Sequence, residues 1–170
     1  IHDFITHICS LVVRFIPDVE RVAAAWSNHG GGDLFKYDDL DATVIAGGAH
    51  ARIRFSCHTL PKGFHVTVRG SKGYAETDLF QPHLRCVIPR AGDVLSPIIN
   101  HFANGCDFIA SSFINFRSKI MQKTPYEGMH RLLEQTYQAL INGQEAPISL
   151  SDIERTNRLV NALLSAENRF

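Results

Sequence analysis

Asp3 and His7 stand four residues apart in the run Ile-His-Asp-Phe-Ile-Thr-His-Ile-Cys that opens the chain. On a helix this spacing sets a carboxylate and an imidazole side by side on one face. A carboxylate in that position fixes the imidazole's tautomer and raises its basicity, which is the chemistry of a proton-transfer site. Asp3, His7, Ser10 and Arg14 follow at intervals of four, three and four, one polar line along the same helix. The plain alternative is a surface helix with an exposed Asp and His. The chain opens almost on the pair and does not begin with Met, so the expectation is a piece of a larger protein.

The elements around the pair follow from hydrophobic period. Ile8, Leu11, Val12, Phe15 and Ile16 repeat at helical spacing and predict the apolar stripe of the first helix, which Pro17 ends. The period then falls to two. Val19 to Trp26, Ala42 to Ala46, Ala49 to Leu60, Phe64 to Arg69, Tyr74 to Phe80 and Leu84 to Ile88 read as strands. Gly30-Gly31-Gly32, Gly47-Gly48, Pro61-Lys62-Gly63, Gly70-Ser71-Lys72-Gly73 and Gln81-Pro82 are the turns between them. Six strands on short turns predict one mainly antiparallel sheet. Alternation puts Ile53, Phe55 and Cys57 on one face, beside Phe64, Val66 and Val68. Arg52, Arg54, Ser56 and His58 fall on the other, near His65, Thr67 and Arg69, with Glu76 and Asp78 as cross-strand partners for the arginines. One face is apolar and requires helices; the other is polar and open.

Met129, Leu132, Leu133, Tyr137, Leu140 and Ile141 predict a second helical stripe with Gly143 as its stop. Ser151 and Glu154 form a capping box for a last helix carrying Ile153, Leu159, Val160, Leu163 and Leu164. Together these elements predict an α+β fold, an open-faced, mainly antiparallel six-stranded sheet with helices on one face. The apolar, aromatic stretch from Val94 to Met121, interrupted by Pro97 and Gly105, is expected to pack within the fold or its oligomer; the alternative is an amphipathic helix packing on a partner domain or lying on a membrane. Its longest uncharged run is too short to span a bilayer.

The 170 residues suit one domain, able to bury roughly 70% of its unfolded surface. Seventeen basic and seventeen acidic side chains cancel, which argues against nucleic acid and against an anionic membrane. Cys9, Cys57, Cys86 and Cys106 are scattered without a CxxC pair, the usage of reduced thiols in a cytoplasmic protein. A metal reading would join Asp3 and His7 to His2 or another histidine, or gather His50, His58 and His65 on the polar face. Catalytic zinc needs a third ligand at suitable distance, and the spacing supplies none.

Three stretches together resemble the C-terminal α/β domain of the Gfo/Idh/MocA family of NAD(P)-dependent oxidoreductases. Asp3-Phe4-Ile5-Thr6-His7 is similar to the D-x-x-x-H segment that opens that domain. Phe64 to Glu76 is similar to a strand turning through G-[ST]-x-G into the next. Gly128 to Gly143, followed by Pro147 and Asp152, resembles the closing pattern of a helix ending in Gly, a Pro and a final helix. The resemblance covers nearly all of the chain except about residues 90 to 123.

It implies that residues 1–170 are the substrate-binding and oligomerisation domain of a larger oxidoreductase acting on a sugar, polyol or related hydroxy compound. Asp3 and His7 would be the catalytic pair, Ser10 and Arg14 substrate contacts. NAD or NADP would be held by an N-terminal Rossmann domain of the same polypeptide, which also carries the family's catalytic lysine. The chain shows no G-x-G-x-x-G after a strand and no E-K-P segment, so no cofactor is expected on this fragment, and by itself it is expected to fold without activity. A homodimer or homotetramer is implied as well. Ile5 stands where the family usually has Gly, bulky enough to crowd the nicotinamide, and Ser10 where a second Asp often follows. The alternative is a non-catalytic ligand-binding or dimerisation module of the same fold.

Overall fold

The computed structural model describes residues 2–30, 36–89, 92–121 and 127–166; within these, the side chains of residues 2, 3, 92, 93, 118 and 127 stand outside the description. The chain divides into two compact units, one of Ile1–Thr59 with Gly128–Phe170 and one of Leu60–Glu127.

In the first unit the polypeptide runs as helix α1 (His2–Phe15) into strands β1 (Arg21–Ser27), β2 (Asp39–Ala46) and β3 (Ala49–Ser56). The strands form one antiparallel sheet in that order. Register explains the core. Val22, Ala24 and Trp26 of β1 lie opposite Val44, Ala42 and Leu40 of β2, which lie opposite Ala51, Ile53 and Phe55 of β3. These rows share one face, because side chains alternate with period two. Onto that face pack Ile5, Cys9 and Val13 of α1 and Leu159 and Leu163 of helix α4 (Leu150–Ser165). Trp26 Nε1–H donates to the Leu163 carbonyl at 3.1 Å, so the indole's polar edge is satisfied inside the core. Gly47 and Gly48 make the β2–β3 turn with φ of 52° and 83°, the pair of positive values that a tight two-residue hairpin demands.

The stripe of α1 lies one residue round from its predicted position. Ile5, Cys9, Val13 and Ile16 are its buried line, whereas Phe15 is 56% exposed. Cys9 fills the hydrophobic position because its thiol is a small apolar group, and burial pushes its pKa up to about 12. The last helix starts earlier than the Ser151–Glu154 box. Ser149 is its cap, with its hydroxyl accepting the Asp152 amide at 3.1 Å. Helix α3 (Glu127–Ile141) ends as predicted, at Gly143 with φ 62°. The Gly143 and Gln144 amides donate back to the Leu140 and Ala139 carbonyls at 3.4 and 2.8 Å, which satisfies two orphan carbonyls. Its predicted stripe is largely exposed: Met129, Leu133, Tyr137, Leu140 and Ile141 all face solvent.

The second unit holds β4 (His65–Gly70), β5 (Gly73–Asp78), β6 (Arg85–Val87) and helix α2 (Gly92–Met121). The strands again pair antiparallel in sequence order. Asn104 clips α2 to β6, its amide donating to the Cys86 carbonyl and its carbonyl accepting the Cys86 amide at 2.8 and 2.9 Å. Asn100 donates to the Ile88 carbonyl at 2.8 Å. Asp78 is buried, and its Oδ1 accepts the Phe64 and Phe80 amides at 3.0 and 2.9 Å. Those backbone bonds, the Phe64 amide foremost, hold its carboxyl below the usual range.

The α+β class and the antiparallel pairing match expectation; the single six-stranded sheet does not. Among the described residues, two three-stranded sheets stand in its place. The Cys57 amide bonds back to the Asp38 carbonyl at 3.0 Å, so the chain leaving β3 continues along β2. Pro61 then interrupts the connection, without an N–H to offer a ladder. Consequently Ile53 and Phe55 are not strand neighbours of Phe64, Val66 and Val68. The predicted charge pairs change with them. Glu76 Oε1 meets Arg85 Nη1 at 2.6 Å across the β5–β6 ladder, and Arg52 pairs with Asp41 inside the first sheet. Val94–Met121 forms a single helix, and Val94, Ile98, Phe102, Phe113 and Ile120 on it are exposed. Among the described residues no helix is long and apolar enough to cross a membrane.

Candidate functional site

Helix α1 carries the residues that the sequence singled out. Its buried line of Ile5, Cys9 and Val13 turns the opposite side outward, and His7, Ser10 and Arg14 are all exposed there. Asp3 lies one turn before His7 on the same helix, and its side chain is outside the described residues. The Ser10 hydroxyl donates to the His7 carbonyl at 2.8 Å, a bond within its own helix. Arg14 Nη1 lies 3.5 Å from Asp152 Oδ2, tying α1 to the first turn of α4. Ile5 is 1% exposed and sits in the core, away from the polar line. Its bulk therefore fills the interior and does not crowd the side on which His7 stands.

A second cluster of acids and bases escaped the sequence reading. Asp38, immediately before β2, is 1% exposed. Its carboxylate accepts the His29 amide at both oxygens, at 2.8 and 3.0 Å, and the His58 ring Nε2–H at 2.7 Å. Its amide donates to the Ser27 carbonyl at 3.0 Å, and its carbonyl accepts the Cys57 amide. One aspartate thus joins the end of β1, the start of β2 and the segment after β3. His58 remains about half exposed. The hydrogen bond that the ring donates to Asp38 raises the His58 pKa above the ordinary value of 6.5, helped by the charges of Asp38 and Asp39. Beside it, His29 Nε2 lies 3.4 Å from Asp39 Oδ2 and 3.1 Å from the Ser27 hydroxyl. Among the described residues, Asp39 Oδ1 is buried without a hydrogen-bond partner.

A signal for Asp38 was present in the alternation. It shares parity with Leu40, Ala42, Val44 and Ala46, the buried row of β2. A carboxylate that continues an inward row must find donors. The identity of those donors required the fold, since His58 lies 20 residues further along the chain.

The outer face of the first sheet is polar as expected. Arg52 grips Asp41 through two bonds, at 3.2 and 2.8 Å, and this guanidinium holds the Asp41 carboxyl below its usual range. His50 belongs to this sheet and His65 to the other, so the three histidines proposed to share a face do not share a sheet. Among the described residues no group of three or more His, Cys, Asp or Glu side chains is placed to hold a metal ion. In the second unit, a cavity of about 670 Å³ lies between β5, β6 and α2, lined by Tyr74, Arg85, Asn100 and His101 among others. The candidate site residues Asp3, His7, Ser10 and Arg14 are not among its lining residues.

Among known proteins, neither any family model nor any curated protein matches this chain. Solved structures do. The WlbA dehydrogenase from Bordetella pertussis, in complex with NADH and UDP-GlcNAcA, superposes over 95% of this chain with a TM-score of 0.63 and 16% identity. An oxidoreductase from Sinorhizobium meliloti does so over 96% of the chain with a TM-score of 0.61 and 19% identity. This chain spans 43% and 49% of the two, less than half of each. At that identity the likeness is one of fold: the chain has the architecture of part of two oxidoreductases.

Proposed function

We propose that this chain is the substrate-binding and oligomerisation part of an NAD(P)-dependent oxidoreductase of the Gfo/Idh/MocA kind, acting on a sugar, polyol or related hydroxy compound. The supporting observation is the fold match: nearly the whole chain corresponds to a portion of two oxidoreductases, one of them in complex with NADH and UDP-GlcNAcA. A dinucleotide-binding domain elsewhere in the same polypeptide supplies the nicotinamide, which takes or gives the hydride.

The chain's own share of the reaction is the proton. When a secondary alcohol is oxidised, the hydroxyl proton must leave as the C–H bond is cleaved. His7, exposed on the polar side of α1, accepts it as a neutral imidazole, and Asp3 one turn before orients the ring or meets a substrate hydroxyl. Arg14 adds a cation on the same line, anchored by Asp152. The exposed apolar line of α3 supports a role in assembly as a homodimer or homotetramer.

The test is turnover by the full-length polypeptide, with NAD and NADP offered alongside a panel of sugars and polyols. His7→Ala is expected to lower kcat by about 10²–10⁴-fold, the usual contribution of a positioned general base. Unchanged kcat in that variant would remove the role given to His7.

A second reading, a non-catalytic module of the same fold, is favoured by one observation. Ser10 stands where the family often has an acid, and its hydroxyl is engaged by the helix backbone. A full-length protein without a dinucleotide-binding segment would favour this reading.

A further inference from the structure

Three segments distant in sequence meet at one end of the first sheet: the end of β1, the start of β2 and the chain leaving β3. Asp38 is their common point. Backbone bonds from Asp38 reach Ser27 on one side and Cys57 on the other, and its buried carboxylate holds the His29 amide and the His58 ring. Immediately beyond, at Leu60, the chain passes into the second unit. His58 is the only one of these partners whose charge changes near neutral pH while it touches Asp38 directly through its side chain.

We propose that Asp38 and His58 form a pH-sensitive clasp that closes this end of the sheet and holds the segment leaving β3 while His58 is protonated. The groups facing His58 decide the sign. Asp38 and Asp39 come from the start of β2, and both carboxylates favour the imidazolium. His29, after β1, is directed to Asp39 and Ser27. Lys36, before β2, has its ammonium 5.0 Å over the Tyr37 ring. Asp33 lies outside the described residues.

A histidine with a raised folded pKa contributes stability that is complete below its unfolded value and is lost as pH rises through the folded one. The clasp is therefore strongest at and below about pH 6.5 and loosens above it. Once His58 is neutral, its charge-assisted bond to Asp38 becomes an ordinary one. The Cys57 amide, one residue away and bonded to the Asp38 carbonyl, reports the loosening.

The test follows two signals in the full-length protein: the NMR titration of the His58 ring and the hydrogen-exchange protection factor of the Cys57 amide across the same pH range. Wild-type His58 should titrate above about 6.5, and Cys57 protection should fall by about threefold or more through that transition. In His58→Gln the protection of Cys57 should be flat with pH, whereas His29→Gln should keep the wild-type profile. Asp38→Asn should return the His58 midpoint toward about 6.5. If Asp38→Asn fails to fold, His58→Gln still decides, because it alters a half-exposed side chain. A wild-type His58 midpoint at or below about 6.5, or a pH-dependent Cys57 protection that persists in His58→Gln, would overturn the proposal.

Discussion

At the scale of single residues, two aspartates are buried for the same physical reason. Each gathers N–H donors at the end of a strand, where hydrogen-bond ladders run out of partners. Asp38 does so beside β2 with the His29 amide and the His58 ring, Asp78 at the end of β5 with the Phe64 and Phe80 amides. Asp38→Ala strands those donors, and chemical denaturation should show a loss of about 2–4 kcal/mol. Asp78 gives a pH signature of opposite sign to that of His58. Its folded pKa is depressed, so its contribution is present above the unfolded value of 3.8 and lost as pH falls through the folded one. Asp78→Asn should flatten the acid limb of the stability profile below about pH 4, measured by thermal unfolding at stepped pH. These residues also mark where sequence reading stopped. Asp3 and His7 were visible because helical spacing pairs them locally, whereas Asp38 and His58 meet only through the β2–β3 register.

At the scale of elements, local chemistry was legible wherever a turn or cap could be satisfied within a few residues. Gly47-Gly48 and Gly70 to Gly73 marked their hairpins, and Gly143 its helix end. Gly73 shows why the requirement is strict. Its φ is 137°, and a Cβ there would run into the Val87 carbonyl of the neighbouring strand. Gly73→Ala should therefore cost about 2 kcal/mol or more, read from the shift of the denaturation midpoint. The cap of α4 was misplaced by two residues because Ser149 and Ser151 offer the same hydroxyl. The fold chooses Ser149, whose oxygen reaches the Asp152 amide, and the two hydroxyls then bond each other at 2.9 Å. Ser149→Ala should lose about 1 kcal/mol. The division of the strands into two sheets was not legible. Strand neighbours in sequence are usually neighbours in space, but the rule fails where the chain carries Pro61 and its preceding amide at Cys57 is already engaged.

At the scale of the whole molecule, composition and period gave the α+β class, while the division of the strands and the partner elements depended on long-range packing. The first unit has a core in which α1, α4 and the β1–β2–β3 sheet share Ile5, Cys9, Trp26, Leu40, Val44, Leu159 and Leu163. Leu163 is fully buried, so Leu163→Ala should cost about 2–5 kcal/mol and lower amide protection throughout that unit. Many large apolar side chains of α2 and α3 are exposed, which supports the proposed role in assembly. That agrees with a fold found as less than half of two oxidoreductases. It is also why the division of labour proposed above assigns the proton to this chain and the hydride to another domain.

The most direct measurement is steady-state turnover of the full-length polypeptide on the panel of sugars and polyols with NAD or NADP, wild type beside His7→Ala and Asp3→Asn. The expected result is cofactor-dependent oxidation by the wild type, lost by about 10²–10⁴-fold in His7→Ala and lowered in Asp3→Asn. Equal turnover in all three proteins would contradict the assignment of the proton-transfer step to this chain.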